Sequence, residues 1–215
     1  MKYNTIIFDL DGTLLNTLED LADAVNYALK ECGYPLRTTD EVRQFIGNGV
    51  KKLMERSTPE NINEKDFEKC YQLFRSYYKD NSRIKTAPYK GVTDLLKVLK
   101  KQGIKTAVVT NKMDEAAQDV IKYYFGELID ITIGQREGIP TKPDPAGVNK
   151  AIESLASAKE NCIFAGDSDV DILTGHNAGL LSIGVTWGYR GKELLLESGA
   201  DFIAETPAEI LEFIK

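Results

Sequence analysis

The chain has 215 residues, 42% hydrophobic and 28% charged, enough for one domain with a sizeable core or one domain carrying an insertion. Its net charge of −6 argues against nucleic acid as the main partner, and no apolar run reaches the length of a membrane span. Cys32, Cys70 and Cys162 are odd in number and lack CxxC spacing, and no signal-peptide pattern is read before the first apolar run, so reduced thiols in a cytoplasmic protein are expected.

In chain order, a buried strand is expected at Thr5-Ile6-Ile7-Phe8, running out into Asp9-Leu10-Asp11-Gly12-Thr13. From about Leu15 to Ile84 the chain is strand-poor. Helical patterns run from Leu18 to Glu31, Asp40 to Phe45, Val50 to Ser57 and Glu64 to Tyr78, punctuated by Gly33-Tyr34-Pro35, Gly47-Asn48-Gly49 and Thr58-Pro59. This reads as a helical insertion, residues 15–84, capping the strand ends of a body made of residues 1–14 and 85–215. Beyond Thr86-Ala87-Pro88 the apolar positions of Val92 to Leu99 recur three and four apart, as in a helix. Strands are expected at Lys105–Thr110, Asp130–Gly134, Asn161–Gly166, Leu181–Thr186 and Ala200–Ala204. Strand alternating with helix implies an α/β fold with a parallel sheet covered on both faces.

Chemistry concentrates at the strand ends, where open α/β sheets bind ligands. At strand period, Asp9 and Asp11 can face the same side, and like charges that close repel unless a cation or a shared proton relieves them. Thr110-Asn111-Lys112 offers a hydroxyl and backbone N–H groups near an expected helix start, which suits phosphate oxygens. In Thr141-Lys142-Pro143-Asp144-Pro145, prolines hold a lysine on extended backbone as a fixed cation. Gly166-Asp167-Ser168-Asp169-Val170-Asp171 gathers acids suited to a hard cation. It is no EF-hand, because the sixth and twelfth positions from Asp167 are Ile172 and Ala178; Asp169 reads as a helix-dipole acid. Phosphoryl transfer asks for this set: a nucleophilic carboxylate, a proton-transfer carboxylate, a hydroxyl, a lysine and a metal-binding acid cluster.

Asp9-Leu10-Asp11-Gly12-Thr13, Thr110, Lys142 and Gly166-Asp167 with Asp171, in this order over nearly the whole chain, resemble the four motifs of the haloacid dehalogenase (HAD) superfamily. Val109-Thr110-Asn111-Lys112, Lys142-Pro143-Asp144-Pro145 and Val185-Thr186-Trp187-Gly188-Tyr189-Arg190 resemble its phosphoglycolate phosphatase-like branch, as does Ile46-Gly47-Asn48-Gly49-Val50. The resemblance implies a Rossmann-like core with an inserted all-helical C1-type cap. It implies Asp9 as nucleophile, Asp11 as general acid and base, and Mg²⁺ held by the Asp9 carboxylate, the Asp11 carbonyl and Asp167, with Asp171 behind them. Thr110, Gly12 and the Asn111 amide would receive the phosphoryl group and Lys142 would neutralise it. Asp11 favours phosphate esters over halides, since a departing alkoxide needs a proton and a halide does not.

The implied substrate is a small phosphorylated metabolite, 2-phosphoglycolate first, acted on by a monomer or homodimer. A β-phosphoglucomutase-like enzyme or a pyrophosphatase would share the same core residues, and a phosphoacceptor receiver domain is the non-enzyme alternative. Gly47, Asn48 and Gly49 stand at an expected helix start whose N–H groups suit a carboxylate, or simply form a helix–helix turn. Lys51, Lys52 and Arg56 read as a solvated face, and His176 as a packing or surface residue.

Overall fold

The structure, a computed structural model, describes residues 2–215. The chain divides into two compact units, Met1–Leu15 with Pro88–Lys215, and Asn16–Ala87. In chain order the elements are β1 (Thr5–Phe8), β2 (Leu15–Asn16), α1 (Leu18–Glu31), α2 (Thr39–Phe45), α3 (Gly49–Ser57), α4 (Glu64–Asn81) and β3 (Ala87–Pro88). Then come α5 (Val92–Lys101), β4 (Lys105–Met113), α6 (Asp114–Tyr124), β5 (Ile131–Gln135), α7 (Ala146–Ser154), β6 (Cys162–Gly166) and α8 (Asp169–Asn177). The last are β7 (Leu181–Val185), α9 (Lys192–Glu197), β8 (Phe202–Ala204) and α10 (Ile210–Phe213).

The larger unit is built on a six-stranded parallel sheet in the order β5-β4-β1-β6-β7-β8. β1 is buried throughout because both its faces are covered, and its alternate residues feed different cores. Ile6 and Phe8 join Val108, Ile163 and the apolar faces of α5 and α6. Ile7 joins Ala107, Val109, Phe164 and the α7 residues Val148, Ala151 and Ile152. Phe8 pairs with Val108 on one side and Ala165 on the other, so the residue that follows β1 emerges flanked by β4 and β6. This is the expected Rossmann-like α/β core. Among the described residues, no helix is long and apolar enough to cross a membrane.

The smaller unit is helical. α1 packs on α4, where Tyr27 and Tyr77 stack with ring centroids 4.3 Å apart. Thr38 caps α2 in a reciprocal arrangement with Glu41. The unit boundary falls at 15/16 and 87/88 rather than the expected 14/15 and 84/85. The reason is local: the buried Asp20 carboxylate on α1 accepts from the N–H groups of Lys85 (3.0 Å) and Thr86 (2.8 Å), tying them to the helices. Asp20→Ala strands those two donors and is expected to lower unfolding free energy by about 1–3 kcal/mol, read from urea denaturation.

Candidate active site

β1 stands where the strand order reverses, between β4, reached first, and β6, reached later, which is where such sheets open a ligand crevice. Asp9 follows β1 directly, anchored by its N–H donating to the Ala165 carbonyl (2.9 Å). The strand geometry ends there. The Leu10 carbonyl accepts from the N–H groups of Thr13, Leu14 and Leu15, and Gly12 takes a left-handed φ of 96°. Asp9 and Asp11 engage different lysines but stay close enough for Asp11 to add to the rise of the Asp9 carboxyl. Asp9 turns to Lys142, 2.6 Å from its Oδ1, and Asp11 to Lys112, 3.0 and 3.3 Å from its two oxygens.

Thr110, Asn111 and Lys112 lie inside β4, which runs on to Met113 before α6 starts. The strand thus runs three residues past its expected end at Thr110, with the helix start directly after it: the ladder with β5 shifts register between Val109 and Met113 and resumes at Met113. The Lys112 N–H donates to Thr110 Oγ1 (3.2 Å). The Asn111 side chain is committed to the Lys142 main chain, accepting from its N–H (2.7 Å) and donating to its carbonyl (3.2 Å). Lys142 lies in a segment that turns instead of running on extended backbone, the form that its prolines suggest. It sits in a turn closed by the Asp144 N–H donating to the Thr141 carbonyl, with a cis Lys142–Pro143 bond. Its ammonium bridges Asp9 and Asp171, 2.6 Å from each, over the Phe164 ring.

Asp167 directly follows β6, and Asp171 stands in the first turn of α8. Asp171 Oδ2 accepts from the Ser168 N–H (3.0 Å) and hydroxyl (2.6 Å), so both of its oxygens are held from within the protein. Asp167 accepts from the Thr13 hydroxyl (3.1 Å) and from the Tyr189 N–H (2.8 Å). The loop after β7 closes around it: the Trp187 indole N–H donates to the Thr13 carbonyl (2.9 Å), and a Cβ on Gly188 would collide with Asp167 and with the Gly12 carbonyl. A Cβ on Gly12 would itself sit on the Asp167 carboxylate.

Burial pushes the Asp9 carboxyl up to about 7, with Lys142 pulling against it and Asp171 adding to the rise. Burial and then repulsion from Asp171 and Asp9 hold Asp167 well above the usual carboxylate range. Burial works against the Lys142 ammonium, but Asp171 and Asp9 more than offset it and keep the lysine charged. Asp9, Asp167 and Asp171 can offer carboxylate oxygens within 4.8 Å of one another, the only such metal-competent group among the described residues. Asp9 Oδ1 is buried without a well-directed hydrogen bond, since Lys142 approaches it off-angle. An all-oxygen, mutually repelling set with one orphaned oxygen, on Asp9, fits a hard divalent cation. With every carboxylate ionised, Asp9, Asp11, Asp167 and Asp171 exceed Lys112 and Lys142 by the charge of one such cation.

The remaining sequence candidates lie elsewhere. Gly47, Asn48 and Gly49 are in the helical unit at the start of α3, both glycines at positive φ. Asn48 accepts from Arg56 Nη2 (2.8 Å), and Arg56 Nη1 donates to the Phe45 carbonyl (2.8 Å). Arg56 is exposed, as are Lys51 and Lys52, and from the surface it braces this turn. Asp169 opens α8 as a first-turn acid. His176 sits between Asp201 and Ser182, 3.0 and 3.1 Å away, as a packing residue. The sequence reading missed Lys112, the Asn111 side chain and the Tyr189 N–H.

The model of the haloacid dehalogenase-like hydrolases matches residues 6–185, and the chain belongs to that family. It is 32% identical to a phosphoglycolate phosphatase of Aquifex aeolicus over 210 residues, covering 97% of this chain and 95% of that one. It is 33% identical to the phosphoglycolate phosphatase of Mannheimia succiniciproducens over 221 residues, covering 99% of both. Among solved structures, a haloacid dehalogenase-like family protein of Streptococcus pneumoniae superposes with a TM-score of 0.90 at 26% identity, covering 100% of this chain and 99% of that one.

The raised carboxyls fix a sign. A folded-state pKa above the unfolded value favours folding at low pH, and that stability is lost as pH rises through the folded value. Metal-free protein is expected to lose thermal stability as pH rises from 3.8 through about 7. Mg²⁺ should restore more of it at pH 8 than at pH 5, as read by thermal melts with and without chelator.

Proposed function

We propose that this chain hydrolyses a small phosphomonoester, 2-phosphoglycolate first among candidates, through a phosphoryl group carried on Asp9. Its class, a phosphoric monoester hydrolase, follows from the family and from full-length relatives named as phosphatases. The observation that carries the mechanism is the pairing of a buried, lysine-bridged Asp9 with a separately held Asp11 two residues on.

Asp9 attacks phosphorus, and the bond to the leaving oxygen breaks while Asp11 delivers a proton to that oxygen. Asp11 then takes a proton from the water that attacks the Asp9 phosphoryl, releasing phosphate and freeing Asp9. Lys142 and the Thr110 hydroxyl balance and orient the phosphoryl oxygens, with the Asn111 main-chain amide beside them. Asn111 contributes a second service through its side chain, which fixes the Lys142 backbone. Mg²⁺ would be held by the Asp9 carboxylate, the Asp11 carbonyl and Asp167, supplying positive charge to the phosphoryl oxygens. Asp171, both of whose oxygens are engaged by Lys142 and Ser168, would stand behind as an anchor.

The substrate assignment rests on relatives named phosphoglycolate phosphatase that align along the whole chain. Phosphate release from a panel of small phosphomonoesters and pyrophosphate tests both levels. Turnover is expected only with a divalent cation, fastest on 2-phosphoglycolate, and Asp9→Asn should reduce it by at least about a thousandfold. Stoichiometric labelling by acetyl phosphate without turnover would overturn the hydrolase mechanism. Faster turnover of pyrophosphate or a sugar phosphate would overturn the substrate alone.

A further inference from the structure

Lys112 is one of the most deeply buried cations in the chain, its side chain only 2% exposed, and the mechanism above gives it no task. Burying an ammonium costs several kcal/mol unless a partner answers it, and here the partner is Asp11. The geometry is two-pronged: Nζ lies 3.0 Å from Oδ1 and 3.3 Å from Oδ2, hydrogen-bonded to both. Lys142 already supplies the cation beside Asp9, so Lys112 is not needed there for charge alone. Asp11 itself lies outside the six-stranded sheet, in an isolated bridge to Leu15, and its side chain is 17% exposed. Among the described residues, Lys112 supplies the hydrogen bonds seen to the Asp11 carboxylate, and this tether to both oxygens holds the carboxyl at one orientation. The tether is rooted in β4, where the Lys112 N–H also bonds the Thr110 hydroxyl. One strand thus carries both a phosphoryl-binding candidate and the group that aims the proton donor.

We propose that Lys112 is the positioning residue for Asp11, holding its carboxyl where it can reach first the leaving oxygen and then the attacking water. The inference rests on the phosphatase reading, and it separates from that reading by leaving-group chemistry. An alkyl alkoxide departs only as it is protonated, whereas an aryl oxide leaves readily without a proton. Both routes still need Asp11 to activate water in the second step.

The test compares wild type, Lys112→Met and Lys112→Arg on 2-phosphoglycolate and on p-nitrophenyl phosphate in rapid-mixing experiments. Lys112→Met is expected to lower kcat on the alkyl ester by about a hundredfold or more, with KM changed by less than about threefold. On the aryl ester it should release a burst of about one nitrophenolate per site and then turn over slowly, because Asp9 still captures the phosphoryl group but water attack is impaired. The burst also shows that the variant is folded and binds substrate. Lys112→Arg keeps a cationic donor and should recover most of the lost rate. Equal losses on both esters with no burst would overturn the proposal in favour of a structural ion pair, and so would a Lys112→Met enzyme at wild-type rate. Wild type inactive on every ester would instead sink the phosphatase reading on which the proposal stands.

Discussion

The ammonium of Lys142 is the interaction on which the site depends. Two carboxylates from distant parts of the chain, Asp9 after β1 and Asp171 on α8, each lie 2.6 Å from it in a nearly dry environment. Without that cation they would repel each other and Asp167. Holding the lysine there takes a dedicated apparatus: the Asn111 side chain clamps its main chain on both sides, and Phe164 lies beneath its ammonium. Lys142 therefore joins the ends of β1, β4 and β6 as well as serving the chemistry. Replacing a buried partner of this kind leaves uncompensated charge, which is why the site is also a stability element.

Around that bridge the backbone approaches unusually closely. Gly188 lies against both Asp167 and the Gly12 carbonyl, at a distance that no side chain permits. The approach lets the Tyr189 N–H reach Asp167 while the Trp187 indole ties the same loop to Thr13. A loop that follows β7 is in this way bonded to the turn that follows β1, and the Asp167 carboxylate is held between them. Such fixed placement is what a divalent cation with few protein ligands requires, since Mg²⁺ tolerates little departure from its preferred geometry.

The α/β core and the positions of Asp9, Asp11, Thr110, Lys142, Asp167 and Asp171 were legible in the sequence. Their residue types are improbable at the ends of apolar strands unless they serve a site. What stayed hidden has no such signature. Lys112 is one of 27 lysines and arginines, and nothing in its neighbours says that it is buried and aimed at a carboxylate 101 residues earlier. The Tyr189 N–H is a group that every residue but proline carries. The prolines beside Lys142 restrict φ yet leave open whether the segment extends or turns. The prolongation of β4 to Met113 arises from pairing with β5, a tertiary contact that local pattern does not encode. The boundary of the helical unit moved to 87/88 because Asp20, 65 and 66 positions upstream, claims the N–H groups of Lys85 and Thr86.

The two aspartates of the first motif are chemically identical and two residues apart, and the repulsion of Asp11 still reaches Asp9. The turn on the Leu10 carbonyl, immediately after Asp9, nevertheless gives them different partners. Asp9 goes inward to a buried lysine and two further carboxylates, whereas Asp11 goes to a separate lysine with partial access to solvent. A nucleophile benefits from the first setting, where it is rigid, dehydrated and next to positive charge. A group that must give and then take a proton benefits from the second, where a leaving alcohol and a water can reach it. Different environments for chemically identical side chains are what allow one to form a bond to phosphorus while the other handles the proton.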